Sequence, residues 1–253
     1  MKYIASMTTY TARFSSALLA IESIDNQTIK PESLVIHISE EDWKQAEKDF
    51  IRPVKFRFKG KVIIEPCENL KPANKIIHTA KKFPEKNIIT FDDDVIYPKD
   101  RAERLIEKHN LYPNNPICFR TRRVSFNKEQ ANPYSKWNLI HDRGGANYLN
   151  FPTSVSGSFY PAGIFPESFF DTQTYSQICQ NNDDIWTYFH MLISDLPLVS
   201  GGLEIVPPSI SGAQSSALWK SNVSLNGNDK IISDMEKRYG SIYSLIGDKN
   251  EGS

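Results

Sequence analysis

Asn87-Ile88-Ile89-Thr90-Phe91-Asp92-Asp93-Asp94 is the stretch that decides the fold. A short apolar run has the pattern of a strand buried on both faces, as in a parallel sheet, and here it runs directly into three carboxylates. Neighbouring like charges in a partly desolvated cleft repel one another, so something cationic normally compensates them. In extended backbone Asp92 and Asp94 face one way and Asp93 the other, which lets two carboxylates share one divalent ion. Hard oxygen ligands favour Mg²⁺ or Mn²⁺, typically held by one or two carboxylates plus substrate phosphates. The carboxyl end of a strand in an open α/β sheet is also where ligands bind. A turn or cap would account for Asp94 alone, because a cap needs one Asp and not three.

On either side of this strand the first half of the chain alternates strand-like and helix-like segments, which predicts a parallel sheet with helices on its faces. Tyr3 to Met7 reads as a strand, Ala12 to Ser23 as a helix, and Ser33 to Ile38 as a second strand. A helix begins at Glu40 and runs toward Phe50, with acidic residues in its first turn where the helix dipole favours them. Lys61 to Glu65 is a third strand, and Pro72 opens a helix that continues through Ala73 to Phe83. After the acidic triplet come a helix from Lys99 to Leu111 and a strand from Ile117 to Phe126. Asn127 to Gly163 then reads as one long loop, functional or partly disordered. A helix from Asp183 to Leu192, a short strand from Leu203 to Val206, a helix from Asp229 to Tyr239 and a loose tail beyond Asp248 complete the pattern.

The chain has 253 residues, with 30 Lys plus Arg against 30 Asp plus Glu, so no global field draws it toward nucleic acid or anionic lipid. Hydrophobic residues at 40% can fill a real core, which excludes wholesale disorder. A single α/β domain over 1–253 is expected, dividing at about residue 126 into a regular half and a less regular one. No segment has the length of a signal peptide or a membrane span, and the expectation is a soluble, cytoplasmic protein. Cys67, Cys118 and Cys179 are odd in number and widely spaced, as reduced thiols are.

A second acidic cluster, Asn182-Asp183-Asp184, opens the later helix. Alone it is an ordinary helix cap; beside the first cluster, one of its carboxylates can serve as a general base or orient an acceptor hydroxyl.

Together these residues resemble glycosyltransferases of the GT-A, nucleotide-diphospho-sugar transferase type. The resemblance rests on Ser6-Met7-Thr8-Thr9-Tyr10-Thr11-Ala12-Arg13, on Ser23 to Lys30, on Lys71-Pro72-Ala73-Asn74-Lys75, and on Ile89 to Ile96, which is similar to an Asp-x-Asp motif. Asn182-Asp183-Asp184 resembles the acidic pair of exostosin-like and related transferases. The resemblance implies a Rossmann-like, mixed but mainly parallel sheet flanked by helices. It implies that Thr8, Thr9, Tyr10 and Arg13 line a nucleotide pocket, with Glu40 near the base and Asn74 and Lys75 near the nucleotide or its phosphates. Asp92 and Asp93 would lie near the ribose or sugar, and Asp94, with Asp92, would bind Mn²⁺ or Mg²⁺ on the diphosphate. Asp184, ahead of Asp183, would be the catalytic or acceptor-orienting carboxylate. The implied partners are a nucleotide-sugar donor, such as a UDP-sugar, and a glycan or lipid-linked glycan acceptor of the kind used for bacterial surface polysaccharide, with peripheral membrane association and no nucleic acid. Many relatives add a His ligand from the C-terminal region, yet no His follows His190 here; Asn226-Gly227-Asn228-Asp229, or water, would substitute.

Other polar and aromatic residues carry weaker signals. His37 and His190 read as packed histidines, and His78 as a solvated one that could approach phosphate. Arg120, Arg122 and Arg123 read as a strand's polar face or as an anion contact. Trp137, Tyr148, Tyr160 and Trp219 read as core before sugar-stacking rings, while Ser156-Gly157-Ser158 to Gly163 could shape an acceptor pocket. The rival activity is a haloacid-dehalogenase-like phosphatase with Asp92 as nucleophile, whose motif would end the first strand and not the fourth. A sugar nucleotidyltransferase would need a glycine-rich loop after the first strand, and Thr8 to Arg13 has no glycine. A non-catalytic nucleotide-sugar-binding protein is the third alternative.

Overall fold

Apolar strands that alternate with one-sided helices must bury both faces of the sheet they form, and the computed structural model shows how. It describes residues 1–141, 144–202, 210 and 227–247. The parallel strands are β1 (Ile4–Thr8), β2 (Ser33–Ser39), β3 (Val62–Cys67) and β4 (Ile88–Thr90). The eight-stranded sheet has the order β10-β13-β5-β12-β4-β1-β2-β3, where β5 is Ile117–Cys118, β10 Ala146–Asn147, β12 Ser158–Tyr160 and β13 Leu198–Ser200. Strand β12 runs antiparallel between β4 and β5, and β10 runs antiparallel at the edge, so the sheet is mixed but mainly parallel, as the resemblance implies.

The two-residue period of the strands divides the core. Ile89, Ile117, Phe159 and Val199 face one buried cluster, and their neighbours Ile88, Cys118, Tyr160 and Leu198 face the other. The first cluster is covered by α1 (Phe14–Asp25), α2 (Glu40–Asp49), α3 (Ile51–Arg57) and α5 (Arg101–Leu111). Helix α1 buries Phe14, Ala17, Ala20, Ile21 and Ile24, one stripe at helical spacing. The second is covered by α4 (Thr79–Lys82), α6 (Thr172–Ile178), α7 (Asp183–Ile193), α8 (Gly227–Tyr239) and α9 (Ile242–Ile246). Ahead of α4, Lys71–Ala73 form a 3₁₀ turn and Asn74–His78 a π turn.

Three expectations are corrected. The single strand from Ile117 to Phe126 is three: β5, then β6 (Thr121–Arg123) and β7 (Phe126–Asn127), each in a different sheet. The break falls at Arg120, whose carbonyl accepts hydrogen bonds from Cys118 Sγ (3.1 Å), Thr153 N (2.9 Å) and Thr153 Oγ1 (2.8 Å) and bends the chain. The long loop from Asn127 to Gly163 is substantially ordered: β6 pairs with β9 (Asn138–Ile140) and β11 (Asn150–Pro152), β7 pairs with β8 (Gln130–Ala131), and β12 enters the main sheet. Short strands with weak alternation leave no period for a sequence to show. Helices α3 and α6 also went unpredicted, although Asp171 caps α6 by accepting from Thr174 N at 3.0 Å, a readable signal. The expected strand Leu203 to Val206, the tail beyond Asp248, Asn226 and Trp219 lie outside the described residues.

This topology positions the site. From β1 the chain steps outward to β2 and β3, then returns to the other side of β1 as β4. The connections after β1 and β4 therefore diverge, the arrangement that in open α/β sheets sets a ligand crevice outside the carboxyl ends of the two strands.

Candidate functional site

The turn after β1 and the acidic triplet after β4 meet at that crevice, because Phe91 N bonds Ser6 O at 2.8 Å and carries the sheet pairing to the strand ends. Asp93 turns toward β1. Its Oδ1 lies 2.7 Å from Arg13 Nη1 and its Oδ2 accepts from Thr9 Oγ1 at 2.7 Å. Asp93 is 5% exposed, and burial raises its carboxyl pKa against the pull of Arg13 and Thr9. The same guanidinium reaches Asp94 Oδ2 at 3.5 Å. Three predicted nucleotide-pocket residues, Thr9, Arg13 and Asp93, thus hold one another and tie the two strand ends together.

Asp92 turns toward α7. Lys75 Nζ sits 2.8 Å from Asp92 Oδ1 and 3.0 Å from Asp183 Oδ2, with the lysine side chain 6% exposed. Burial pulls the Lys75 pKa down, but Asp183 and Asp92, followed by Asp184, overcome it and hold the ammonium well above its ordinary value. The π turn brings this about. It buries Asn74, Lys75, Ile76 and Ile77 in succession, and the Lys75 carbonyl accepts from Ser6 Oγ on β1, which also pairs with Thr79 Oγ1 at 2.6 Å. Asn74 accepts from Leu70 N (2.8 Å) and donates to Thr8 Oγ1 (3.3 Å), which itself donates to His37 O.

The structure therefore gathers Asp92, Asp93, Asp94, Asp183 and Asp184, contributed by two elements far apart in sequence, around Arg13 and Lys75. When all five are ionised, three negative charges are left uncompensated. Asp94 shows the strain: burial first, then the Asp92 charge, push its pKa up to about 6 although Arg13 opposes the shift. Asp184 lies beside Asp183 at the start of α7, where Asn182 caps the helix by accepting from Ile185 N at 2.8 Å. Its Oδ1 accepts from Ser154 N (3.0 Å) and Ser154 Oγ (2.6 Å). Burial and the Asp183 charge raise its carboxyl well above the usual range, with the Ser154 bonds and Lys75 working against them. No described residue donates a hydrogen bond to Oδ2.

Glu40, placed near the base by resemblance, is exposed at the start of α2, and Tyr10 lies half-buried with Arg13 stacked 5.4 Å from its ring centre. The sequence did not flag Asp42, which accepts from Ser39 Oγ (2.9 Å) and Thr11 N (3.1 Å) and fixes the first turn against α2. Nor did it flag Tyr97, whose hydroxyl accepts from Asp92 N at 2.8 Å and donates to Val155 O at 3.3 Å. Ser154 was likewise missed, although it lies just outside the Ser-Gly-Ser stretch singled out for the acceptor pocket. Apart from the Ser39 to Asp42 bond, a local cap of α2, these bonds join residues 5 to 58 apart, beyond any local sequence pattern.

Among the described residues no group of three or more His, Cys, Asp or Glu side chains is arranged to hold a metal ion. Asn228 accepts from Asn182 Nδ2 (2.9 Å) and Asp229 from Tyr134 N (2.7 Å), so both brace the fold instead of completing a ligand set. The chain turns at Asp93 and Asp94, so the extended arrangement in which Asp92 and Asp94 face one way is not kept: Asp92 pairs with Lys75, while Asp94 lies with Asp93 on Arg13. Asp92 and Asp94 are nonetheless hard oxygen donors in a cluster carrying excess negative charge. They fit an ion whose remaining positions are filled by phosphate oxygens and water, as Mg²⁺ sites commonly are.

Remaining candidates fall to packing. Trp137 and Tyr160 are core residues, His190 Nδ1 donates to Trp186 O at 2.9 Å, and Arg122 stacks 4.9 Å over Tyr134 while donating to Trp137 O at 2.5 Å. A separate pocket of about 270 Å³, lined by His37, Glu65, Cys67, His78 and Lys82 among others, lies by β2 and β3 and includes none of the acidic cluster.

No family model matches the chain, and no curated protein matches it. Among solved structures it is similar to 4-diphosphocytidyl-2C-methyl-D-erythritol synthase from Anaerococcus prevotii DSM 20548, at 11% identity over 88% of this chain and 96% of that one, with a TM-score of 0.52. It is also similar to residues 1–349 of S. aureus TarS in complex with UDP, at 13% identity over 82% of this chain and 59% of that one, with a TM-score of 0.51. At such identities the likeness establishes a shared fold: a Rossmann-like, mainly parallel sheet flanked by helices.

Proposed function

We propose that this chain is a divalent-metal-dependent glycosyltransferase that moves a sugar from a nucleotide-sugar donor, a UDP-sugar, to a hydroxyl of a glycan acceptor. The carrying observation is Lys75, which joins Asp92 at the end of β4 to Asp183 at the head of α7 and so sets two carboxylate pairs at one crevice. That the fold is shared with a protein solved with UDP supports a nucleotide as the ligand there.

In the proposed reaction the bond between the anomeric carbon and the diphosphate oxygen breaks, a bond to the acceptor oxygen forms, and the nucleoside diphosphate leaves with the bonding electrons. Asp92 and Asp94 would hold Mn²⁺ or Mg²⁺, which when bound offsets the charge that develops on the diphosphate. Asp184 takes the acceptor's proton on Oδ2. A base works best with a pKa near the working pH, and burial beside Asp183 moves this carboxyl in that direction. Ser154 fixes its rotamer, and Lys75 with Asp183 fixes the helix end that carries it. Thr8, Tyr10 and Glu40 would line the side of the pocket that meets the nucleoside.

The fold also fits a nucleotidyltransferase, as the erythritol synthase shows. Here, however, the turn after β1 has no glycine, and its one cation, Arg13, is held by Asp93 and Asp94. Incubation with a panel of nucleotide sugars, with Mn²⁺ or with EDTA, tests the assignment: metal-dependent release of a nucleoside diphosphate supports it. Formation of a nucleotide sugar from a nucleoside triphosphate and a sugar phosphate, with no donor hydrolysis or transfer, would replace it.

A further inference from the structure

Between Lys48 and Lys61 the chain carries six cations, Lys48, Arg52, Lys55, Arg57, Lys59 and Lys61, against the single acid Asp49, although the whole sequence is balanced. Arg52, Lys55, Arg57, Lys59 and Lys61 are all exposed, and none is ion-paired with a described residue. Amid them stands Phe56, 88% exposed. Helix α3 does not need it for folding: Ile51, Val54 and then Phe58 supply the stripe that meets the core, and Phe56 falls on the opposite side. A single apolar side chain on a surface is ordinary. An exposed phenylalanine flanked in sequence by exposed cations, of which only Lys61 acts on a nearby carboxylate, Glu32, matches a layer that is anionic outside and apolar just beneath.

We propose that the outer face of α3 and the Lys59-Gly60-Lys61 turn form a peripheral docking surface for an anionic phospholipid bilayer, with Phe56 entering the interface and the cations resting on headgroups. Juxtaposed basic residues are drawn to acidic lipid, and an aromatic ring gains from the acyl boundary. A nucleic acid duplex would engage the cations but leave the ring in water, so lipid accounts for both features. The surface is also oriented. The Lys61 carbonyl accepts from Leu34 N at 2.8 Å, near the amino ends of the parallel strands, whereas the acidic crevice opens at their carboxyl ends. Docking here turns the crevice away from the bilayer. The inference stands independently of the proposed activity.

Sedimentation of the full chain with vesicles of phosphatidylcholine alone, or mixed with phosphatidylglycerol, tests it. The expected result is binding to the mixed vesicles only, weakened by salt. Lys55→Glu with Arg57→Glu should weaken that binding by at least about 25-fold, at about fivefold per cation lost. Phe56→Ser should weaken it roughly tenfold and leave the salt dependence intact. All three positions are exposed, so melting temperatures should not move. Failure to bind the mixed vesicles overturns the proposal, as does binding that neither variant changes. Duplex DNA held as tightly as the vesicles, with no effect of Phe56→Ser on either, would instead assign the patch to polyanions.

Discussion

Replacing Lys75 with Met should destabilise the protein more than any other single exchange at the crevice. The lysine side chain is 6% exposed and bridges Asp92, 21% exposed, and Asp183, 11% exposed. Methionine fills much of the same volume but leaves both carboxylates without their cation. Breaking a buried pair costs about 3–5 kcal/mol, because the remaining charge is stranded in a poor solvent. Water reaches Asp92 in part, which favours the lower end, about 3 kcal/mol. In a chain of this size each kcal/mol shifts the melting temperature by roughly 2–4 °C, so the expected fall is about 6–12 °C at pH 7 without divalent ions. Scanning calorimetry would measure it. The double variant Lys75→Met/Asp183→Asn should recover part of the loss, because one stranded charge has been neutralised; coupling of about 0.5–3 kcal/mol is expected for residues in one network. A Lys75→Met protein melting within about 2 °C of wild type, or a double variant whose losses simply add, would refute the electrostatic role.

Further outcomes follow from the same geometry. Because the folded state raises the Asp94 pKa to about 6, ligand-free wild type loses stability as pH rises from about 4 through 6; Asp94→Asn should be the more stable protein at pH 7.5 and equal to wild type below pH 4, by urea denaturation at the two values. His37 has the opposite sign: burial, then the neighbouring His78 and Lys82, depress its pKa to about 3, so the unfolded chain takes up the proton first and stability falls as pH drops from about 6.5 toward 3, by at most about 1.4 kcal/mol per pH unit. His37→Gln should flatten that limb of the acid titration, and an unchanged slope would exclude His37 as its source. Asp184→Asn should lower kcat by a factor of about 10² to 10⁴ with little change in donor KM, read from steady-state kinetics; an unaltered kcat would return Asp184 to a merely structural place beside Ser154.

Strand patterning made the first half of the fold legible, because fully buried parallel strands such as Ser33–Ser39 and Ile88–Thr90 are short, mainly apolar runs that need no tertiary information. The first acidic cluster was legible for the same reason, because charge at the end of such a strand is anomalous on its face, whereas Asp183 and Asp184, at a helix start, drew notice only beside it. What the sequence hid was partnership. Nothing local says that Lys75 will stand between Asp92 and Asp183, that Ser154 will hold Asp184, or that Thr9 and Arg13 will be taken up by Asp93, since each bond closes a loop set by topology. The small strands β6 to β11 were hidden because two or three residues cannot establish a period, and β12 because its place between β4 and β5 is decided by pairing alone.

Titration calorimetry of UDP into wild type and Asp94→Ala, each with Mn²⁺ and with EDTA, tests the central claim most directly. The account predicts that wild type binds UDP when Mn²⁺ is present and loses that binding in EDTA, and that Asp94→Ala behaves in Mn²⁺ as wild type does in EDTA. Equal affinity in all four conditions, or no heat in any of them, would contradict it.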